Sequence, residues 1–391
     1  MLNFAYYSPT EFIFGKGTEN KAGEMVKKYG GTKALVLYGG GSAIKSGLID
    51  RVLASLNEQG ISAVTLGGVK PNPRSGLVYE GIDLCRKENV DFILAVGGGS
   101  VIDTGKAIAN GVPYDGDFWD FFSKKATPQK WLPVGTVLTI AAAGSEGSKS
   151  CVITLERESL KRGSAGEFNR PKFSILNPEL MYTLPAFQTA CGITDMMAHI
   201  LERYFTNEDS VDLTDRLCEG VLSTIIKYGP VALKTPDDYE ARANLMWAGT
   251  LAHNDILELG RQGDWSSHQM EHELSALYDV AHGAGLAVVF PAWMRYQMEH
   301  NIARFAQIAV RVWGCSMDFA HPERTALEGI ERFEKFLTSI GMPITFAELG
   351  AKEEDIPALA AKCKRNNNGN LGFFRPLDTA AIEAVYRLAV K

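Results

Sequence analysis

Residues 91–103 read DFILAVGGGSVID. The apolar run FILAV has the character of a strand, and the glycines that end it give way to a stretch able to form a helix. Glycines at such a turn let the backbone approach a phosphate, and the helix that follows offers free N–H groups and a positive dipole end. The construction recurs at residues 33–45, KALVLYGGGSAIK. Neither copy is a G-x-G-x-x-G or P-loop pattern, because no Gly-Lys-Ser/Thr follows. Taken alone, the loops therefore keep two readings: a phosphate cradle, or a tight turn that needs positive φ. Asp103 and Lys106 lie one to two turns into the second of these helices, where spacing alone favours a solvated face.

Up to about residue 184 the same alternation holds. The runs ALVLY, SAVTLGG, FILAVGGG, PVGTVLTIA and KFSILNP are separated by amphipathic stretches such as IDRVLASLNEQG and VYEGIDLCRKENV. Strand, helix, strand, helix predicts a parallel sheet covered on both faces, with ligands bound at the carboxyl ends of its strands. From about residue 185 the apolar spacing becomes helical, as in LPAFQTACGITDMMAHILERYF and DYEARANLMWAGTLAHNDILELG. The expectation is an α/β domain over 1–184 and an all-helical domain over 185–391, divided in NPELMYTLP, where Pro178 and Pro185 punctuate the chain. No long internal repeat or low-complexity tract interrupts this plan.

At 391 residues the chain is long enough for two domains, and 46% hydrophobic with 22% charged residues is an ordinary globular balance. A net charge of −6 without a basic block gives no general attraction to nucleic acid or anionic membrane. No continuous apolar window of membrane-spanning length occurs, and MLNFAYYSPTEF lacks the layout of a signal peptide. Cys85, Cys151, Cys191, Cys218, Cys315 and Cys363 are far apart, as expected of reduced thiols in the cytoplasm.

The chain has seven histidines. Asp195 and His199, in TDMMAH, share one helical face, and His268 and His272, in HQMEHE, repeat the spacing. An Asp/His set can hold a borderline divalent ion such as Zn²⁺ or Fe²⁺. On one continuous helix His268 and His282 would be roughly 21 Å apart. They can share an ion only if the chain breaks near residues 277–281 and His282 opens a new helix. HQMEHE is not the zinc-protease H-E-x-x-H pattern, which weakens a hydrolase reading.

The first glycine loop has a second implication. In dinucleotide sites an acid near the end of an early strand binds the ribose hydroxyls and repels a 2′-phosphate. Here that position reads Tyr38-Gly39-Gly40-Gly41-Ser42, with Lys45 nearby and no acid: either a turn only, or a phosphate site that would favour NADP(H) over NAD(H).

Together these pieces resemble the iron-containing alcohol dehydrogenase family, particularly its butanol dehydrogenase branch. The resemblance runs over essentially the whole chain: FGKGT at 14–18, YGGGS at 38–42, PNP at 71–73, AVGGGSVID at 95–103, TIAAAGSE at 139–146, RPKFSILNP at 170–178, TDMMAHILERYF at 194–205, and WSSHQMEHELSALYDVAHGAGLA at 265–287. It implies a dehydroquinate synthase-like architecture and a metal-assisted, NAD(P)H-dependent interconversion of short alcohols and aldehydes. It further implies one divalent ion, Fe²⁺ or Zn²⁺, on Asp195, His199, His268 and His282, with His272 beside the metal site as a candidate proton relay. Gly97, Gly98, Gly99 and Ser100 would wrap the pyrophosphate, with Gly39, Gly40, Gly41 and Ser42 at the adenosine end. Asp103 would lie near the nicotinamide side, and Thr139, Ser145 and Lys161 would contact the cofactor. A homodimer without a nucleic-acid or membrane partner is the expected assembly.

The family's usual T-x-x-G-T-G-S-E has here become Thr139-Ile-Ala-Ala142-Ala143-Gly-Ser-Glu146. Lys149 is an unusual charge beside that loop. His253 and Asp255, in LAHNDIL, would favour a more polar substrate if they faced the pocket, but a surface helix is the expectation. A polyol dehydrogenase of glycerol type is the sibling reading. A dehydroquinate-synthase-like lyase would need a basic cluster for a phosphorylated substrate, and residues 195–285 show none.

Overall fold

The computed structural model describes residues 1–363, 365–366 and 368–391. Six strands, β1 (Glu11–Phe14), β2 (Lys33–Tyr38), β3 (Ser62–Leu66), β4 (Phe92–Gly97), β5 (Val134–Leu138) and β8 (Phe173–Leu176), form one parallel sheet in the order β1-β8-β5-β4-β2-β3. The central strands are apolar without alternation, because a parallel sheet is covered on both faces. Accordingly Ala34–Leu37 and Phe92–Val96 are wholly buried. The helices α1 (Ala22–Lys28), α2 (Gly41–Lys45), α3 (Leu48–Glu58), α4 (Ser75–Glu88) and α5 (Gly99–Gly111) lie among these strands in sequence. Each of the five sequence-expected strands is present. β1 escaped the reading because EFIF is too short to show a pattern. An antiparallel hairpin of β6 (Ser150–Leu155) and β7 (Leu160–Ala165) also escaped it, since LKRGSA is too polar to read as a strand.

The remainder is helical: α6 (Ala186–Tyr204), α7 (Asp212–Lys234), α8 (Tyr239–His253), α9 (Ser266–Tyr278), α10 (His282–Gln297), α11 (Ile302–Arg311), α12 (Pro322–Ser339), α13 (Phe346–Leu349), α14 (Ile356–Lys362) and α15 (Thr379–Leu388). Two compact units result. The sheet unit comprises Tyr7–Leu184 with Pro236–Asn254, and the helical unit comprises Met1–Tyr6, Pro185–Thr235 and Asp255–Lys391. A single cut at 184/185 thus misassigns α8, which packs into the sheet unit. Thr250 donates to Glu146 Oε1 at 2.6 Å, and Gly144 lies so close that a Cβ on it would stand 2.6 Å from the carbonyl oxygen of Gly249. Helical periodicity reports a buried face but not what buries it. His253, at the end of α8, is therefore buried rather than on a surface helix. No helix among the described residues is long and apolar enough to cross a membrane.

Candidate active site

Three helices of the helical unit bring the sequence-selected aspartate and histidines together. α6 presents Asp195 and His199 one turn apart, and both are buried. α9 begins after Trp265, whose φ is 66°, and carries His268 and His272 on its buried face. It ends at Tyr278, Asp279 takes a left-handed φ of 54°, and His282 is the first residue of α10. The chain break that a shared ion requires is therefore present. Gly283 makes the approach possible: a Cβ there would stand 2.1 Å from the carbonyl oxygen of Cys191, so only glycine lets the start of α10 rest on the α6 backbone one turn before Asp195.

Asp195 Oδ1 is the common point. It lies 3.4 Å from His199 Nε2, 3.9 Å from His268 Nε2 and 3.7 Å from His282 Nε2. Asp195, His268 and His282 bring ligand atoms within 4.8 Å of one another, and the His199 ring stands 4.5 Å from that of His268. Donors about 2.0–2.2 Å from a tetrahedral ion are about 3.3–3.6 Å apart, close to these separations. His268 Nε2 is buried and has no hydrogen-bond partner among the described residues. A carboxylate with three imidazoles, one of them offering an otherwise unspent lone pair, fits a divalent ion of the Fe²⁺ or Zn²⁺ kind.

Two buried glutamates that the sequence reading passed over stand behind the histidines. Glu202, one turn beyond His199, accepts from His268 Nδ1 at 2.9 Å, from the Ser267 hydroxyl at 2.5 Å, and from the backbone N–H groups of His268 and Trp265 at 3.0 and 2.7 Å. Glu271 meets His282 Nδ1 and the Ser275 hydroxyl. Both are wholly buried. The signal was available: 195, 199 and 202 form one helical stripe, and 268, 271, 272 and 275 form another. His272 is buried beside this group, its ring 5.7 Å from that of His282.

In the sheet unit the two glycine loops end β2 and β4 at their carboxyl ends. None of Gly39, Gly40, Gly41, Gly97, Gly98 and Gly99 has positive φ, so the tight-turn reading does not account for them. Gly98 instead admits Ile140, whose Cγ2 would stand 2.2 Å from an added Cβ, whereas Gly40 faces open space. α5 begins at Gly99 with no side-chain cap, and the N–H groups of Val101 and Ile102 turn back to the Gly98 carbonyl at 3.0 and 3.1 Å. Ser100 is part-buried in the first turn of α5, and Ser42 is exposed in α2.

Asp103 and Lys106 do not occupy a solvated face. Lys106 is wholly buried, and its ammonium donates to the carbonyls of Ser145, Ser148 and Ser150 at 2.7, 3.2 and 2.8 Å and to the Ser145 hydroxyl at 2.8 Å. Asp103 accepts from the Ser145 hydroxyl at 2.6 Å and the Val152 N–H at 2.9 Å. Burial pushes the Asp103 carboxyl up and the Lys106 ammonium down, each opposed by the other's charge. These residues, with Ser145, fix the shape of the 145–150 loop. Thr139 follows β5 with its N–H on the Gly97 carbonyl at 3.1 Å, and Lys161, on β7, is buried and donates to Asn72 Oδ1 at 3.0 Å.

A parallel sheet with glycine loops at its carboxyl edge, and an Asp/His cluster in the helical unit, are the features expected of a dinucleotide-linked metalloenzyme. The family described as iron-containing alcohol dehydrogenase matches residues 9–178, and the C-terminal Fe-containing alcohol dehydrogenase family matches residues 189–390. The chain belongs to the iron-containing alcohol dehydrogenase family and is an oxidoreductase. It is 44% identical to a probable NADH-dependent butanol dehydrogenase 2 of Bacillus subtilis over 100% of both chains. It is 34% identical to an NADPH-dependent aldehyde reductase of Escherichia coli, again over 100% of both. The crystal structure of NADH-dependent butanol dehydrogenase A from Thermotoga maritima superposes with a TM-score of 0.97 at 42% identity, covering 100% of this chain and 99% of that one.

Proposed function

We propose that this chain is a metal-dependent, NAD(P)H-linked alcohol dehydrogenase that interconverts short primary alcohols and aldehydes such as butanol and butanal. The observation that carries this reading is the convergence of His199, His268 and His282 on Asp195 Oδ1. These four residues would hold one divalent ion, which when bound supplies Lewis acidity toward the alcohol or carbonyl oxygen. Glu202 and Glu271 hold two of the imidazoles by Nδ1, keeping their Nε2 atoms toward Asp195. His272, buried next to His282, is the chain's candidate for carrying the proton that accompanies hydride transfer.

Gly97, Gly98, Gly99 and Ser100 receive the pyrophosphate at the start of α5, and Gly39 to Ser42 receive the adenosine end. Thr139 and Lys161 contact the cofactor, while Asp103, Lys106 and Ser145 shape the loop beside it. The two cofactor forms are supported by different observations. The end of β2 carries no carboxylate to repel a 2′-phosphate, which supports NADPH as the preferred donor. The NADH named for the Bacillus subtilis relative supports the other form. A homodimer in the cytoplasm is the assembly that goes with this reading, and all six cysteines are buried with no disulfide among the described residues.

The test is a panel of butanal, shorter aldehydes and glycerol, assayed with both cofactors after anaerobic loading with Fe²⁺ or Zn²⁺. Reduction of butanal well above any activity on glycerol supports the proposal. No oxidation of either cofactor with any aldehyde, despite full metal loading, refutes it.

A further inference from the structure

The sharpest unexplained feature outside the four expected ligands is Glu271. Its carboxylate is wholly buried and lies between two helices, on α9 by sequence and against α10 by contact. Two features of the chain make room for it. Ser275, one turn on, donates its hydroxyl to Oε1. Gly285, one turn into α10, leaves the space that the carboxylate fills, for a Cβ there would stand 2.7 Å from Glu271 Oε1 and 2.8 Å from its Cγ. Alanine would suit a helix interior better than glycine by about 1 kcal/mol, so glycine at this position costs stability that the helix alone does not require.

The same carboxylate meets His282 Nδ1, while His282 Nε2 faces Asp195. Glu202 treats His268 alike, at Nδ1, with Nε2 again toward Asp195. An acceptor at Nδ1 places the ring proton there and leaves the Nε2 lone pair for a metal, and it also makes that lone pair more basic. His268 is held from α6, a helix that supplies ligands itself. His282 stands at the first turn of α10, where its side chain is 24% exposed, and the carboxylate of Glu271 meets its Nδ1.

We infer that Glu271 is a positioning residue, seated by Gly285, which fixes His282 as an Nδ1–H tautomer with Nε2 aimed at the ion. This rests on the metal site proposed above. Glu271 acts on the site through His282 on this account, and His272 lies in the same close group of ligand atoms.

The test uses the full chain, stripped with a chelator and titrated with Zn²⁺ against a chromophoric competitor. Glu271→Gln and Gly285→Ala are each expected to bind Zn²⁺ at least about ten-fold more weakly than wild type. The Gly285→Ala loss is the more telling, because that variant alters no polar group. Zn²⁺ affinity less than ten-fold below wild type, in either variant that keeps the wild-type melting temperature without metal, overturns the proposal. A measurement on the wild type removes dependence on the variants' folding. In the metal-free chain labelled with ¹⁵N-histidine, the His282 ring, assigned by its loss in His282→Ala, is expected to carry its proton on Nδ1. An Nε2–H tautomer there also overturns the proposal. His268→Ala separates the two claims: if it retains Zn²⁺ at wild-type affinity the metal site itself fails, whereas Zn²⁺ lost there and kept in Glu271→Gln removes only the role of Glu271.

Discussion

A Cβ on Gly283 would stand 2.1 Å from the carbonyl oxygen of Cys191, so the first turn of α10 rests directly on the backbone of α6. That contact sets how near His282 comes to Asp195. Gly283→Ala is therefore expected to force the helices apart, despite alanine's better helix propensity. Overpacking of a buried backbone contact costs about 1–3 kcal/mol. Denaturant unfolding should show a loss in that range, and the purified variant should carry less metal than wild type. Unchanged stability and metal content would mean that the contact does not set the site.

The buried ammonium of Lys106 ties together three carbonyls and a hydroxyl of the 145–150 segment. Lys106→Met would leave those acceptors and Asp103 without their cation. Removing one partner of a buried charged network costs about 3–5 kcal/mol. The variant should unfold at lower denaturant, and where it is still folded its KM for the nicotinamide cofactor should rise more than its kcat falls.

Gly39 ends its strand without a carboxylate, and a Cβ placed there would meet Val69's carbonyl oxygen at 3.4 Å, which is ordinary contact. Gly39→Asp should thus fold and set a negative charge at the adenosine end. The expected result is a fall of at least about ten-fold in kcat/KM with NADPH relative to NADH, the equivalent of 1.4 kcal/mol. An unchanged ratio would remove Gly39 from the adenosine site.

Asp264 accepts from the N–H groups of Phe373 and Phe374 at 2.7 and 2.8 Å and from Ser266 N–H at 3.1 Å. Burial, reinforced by the charge of Glu202, pushes its carboxyl up to about 6 from 3.8. Because the folded state holds this proton more tightly, the group favours folding most below pH 3.8. That advantage is lost as pH rises through about 6. The unfolding free energy of wild type minus that of Asp264→Asn, from urea titrations, should therefore be largest at the acid end and fall towards neutral pH. A difference that rises with pH in favour of wild type would reverse the assignment.

Much of this was legible in the sequence, and the gaps have physical causes. The strands under the glycine loops were plain because a doubly covered parallel sheet demands unbroken apolar runs such as FILAV. The turn before His282 followed from helix geometry once His268 and His282 were required to share an ion, and Asp279 makes it with a left-handed φ. What periodicity could not supply was partnership. Lys106 looked like a surface lysine because spacing cannot reveal the carbonyls folded over its ammonium. α8 fell to the wrong unit because its apolar face does not name its neighbour. Glu202 and Glu271 were passed over although they lie on the ligand stripes, since a carboxylate beside a ligand reads the same in sequence whether it faces a histidine or water.

Metal dependence is measured by butanal reduction with the chelator-stripped chain, with NADH and with NADPH, before and after Fe²⁺ or Zn²⁺ is restored. Turnover should be lost on stripping, regained on loading, and not regained by His268→Ala. Turnover that survives complete removal of the metal would contradict metal dependence.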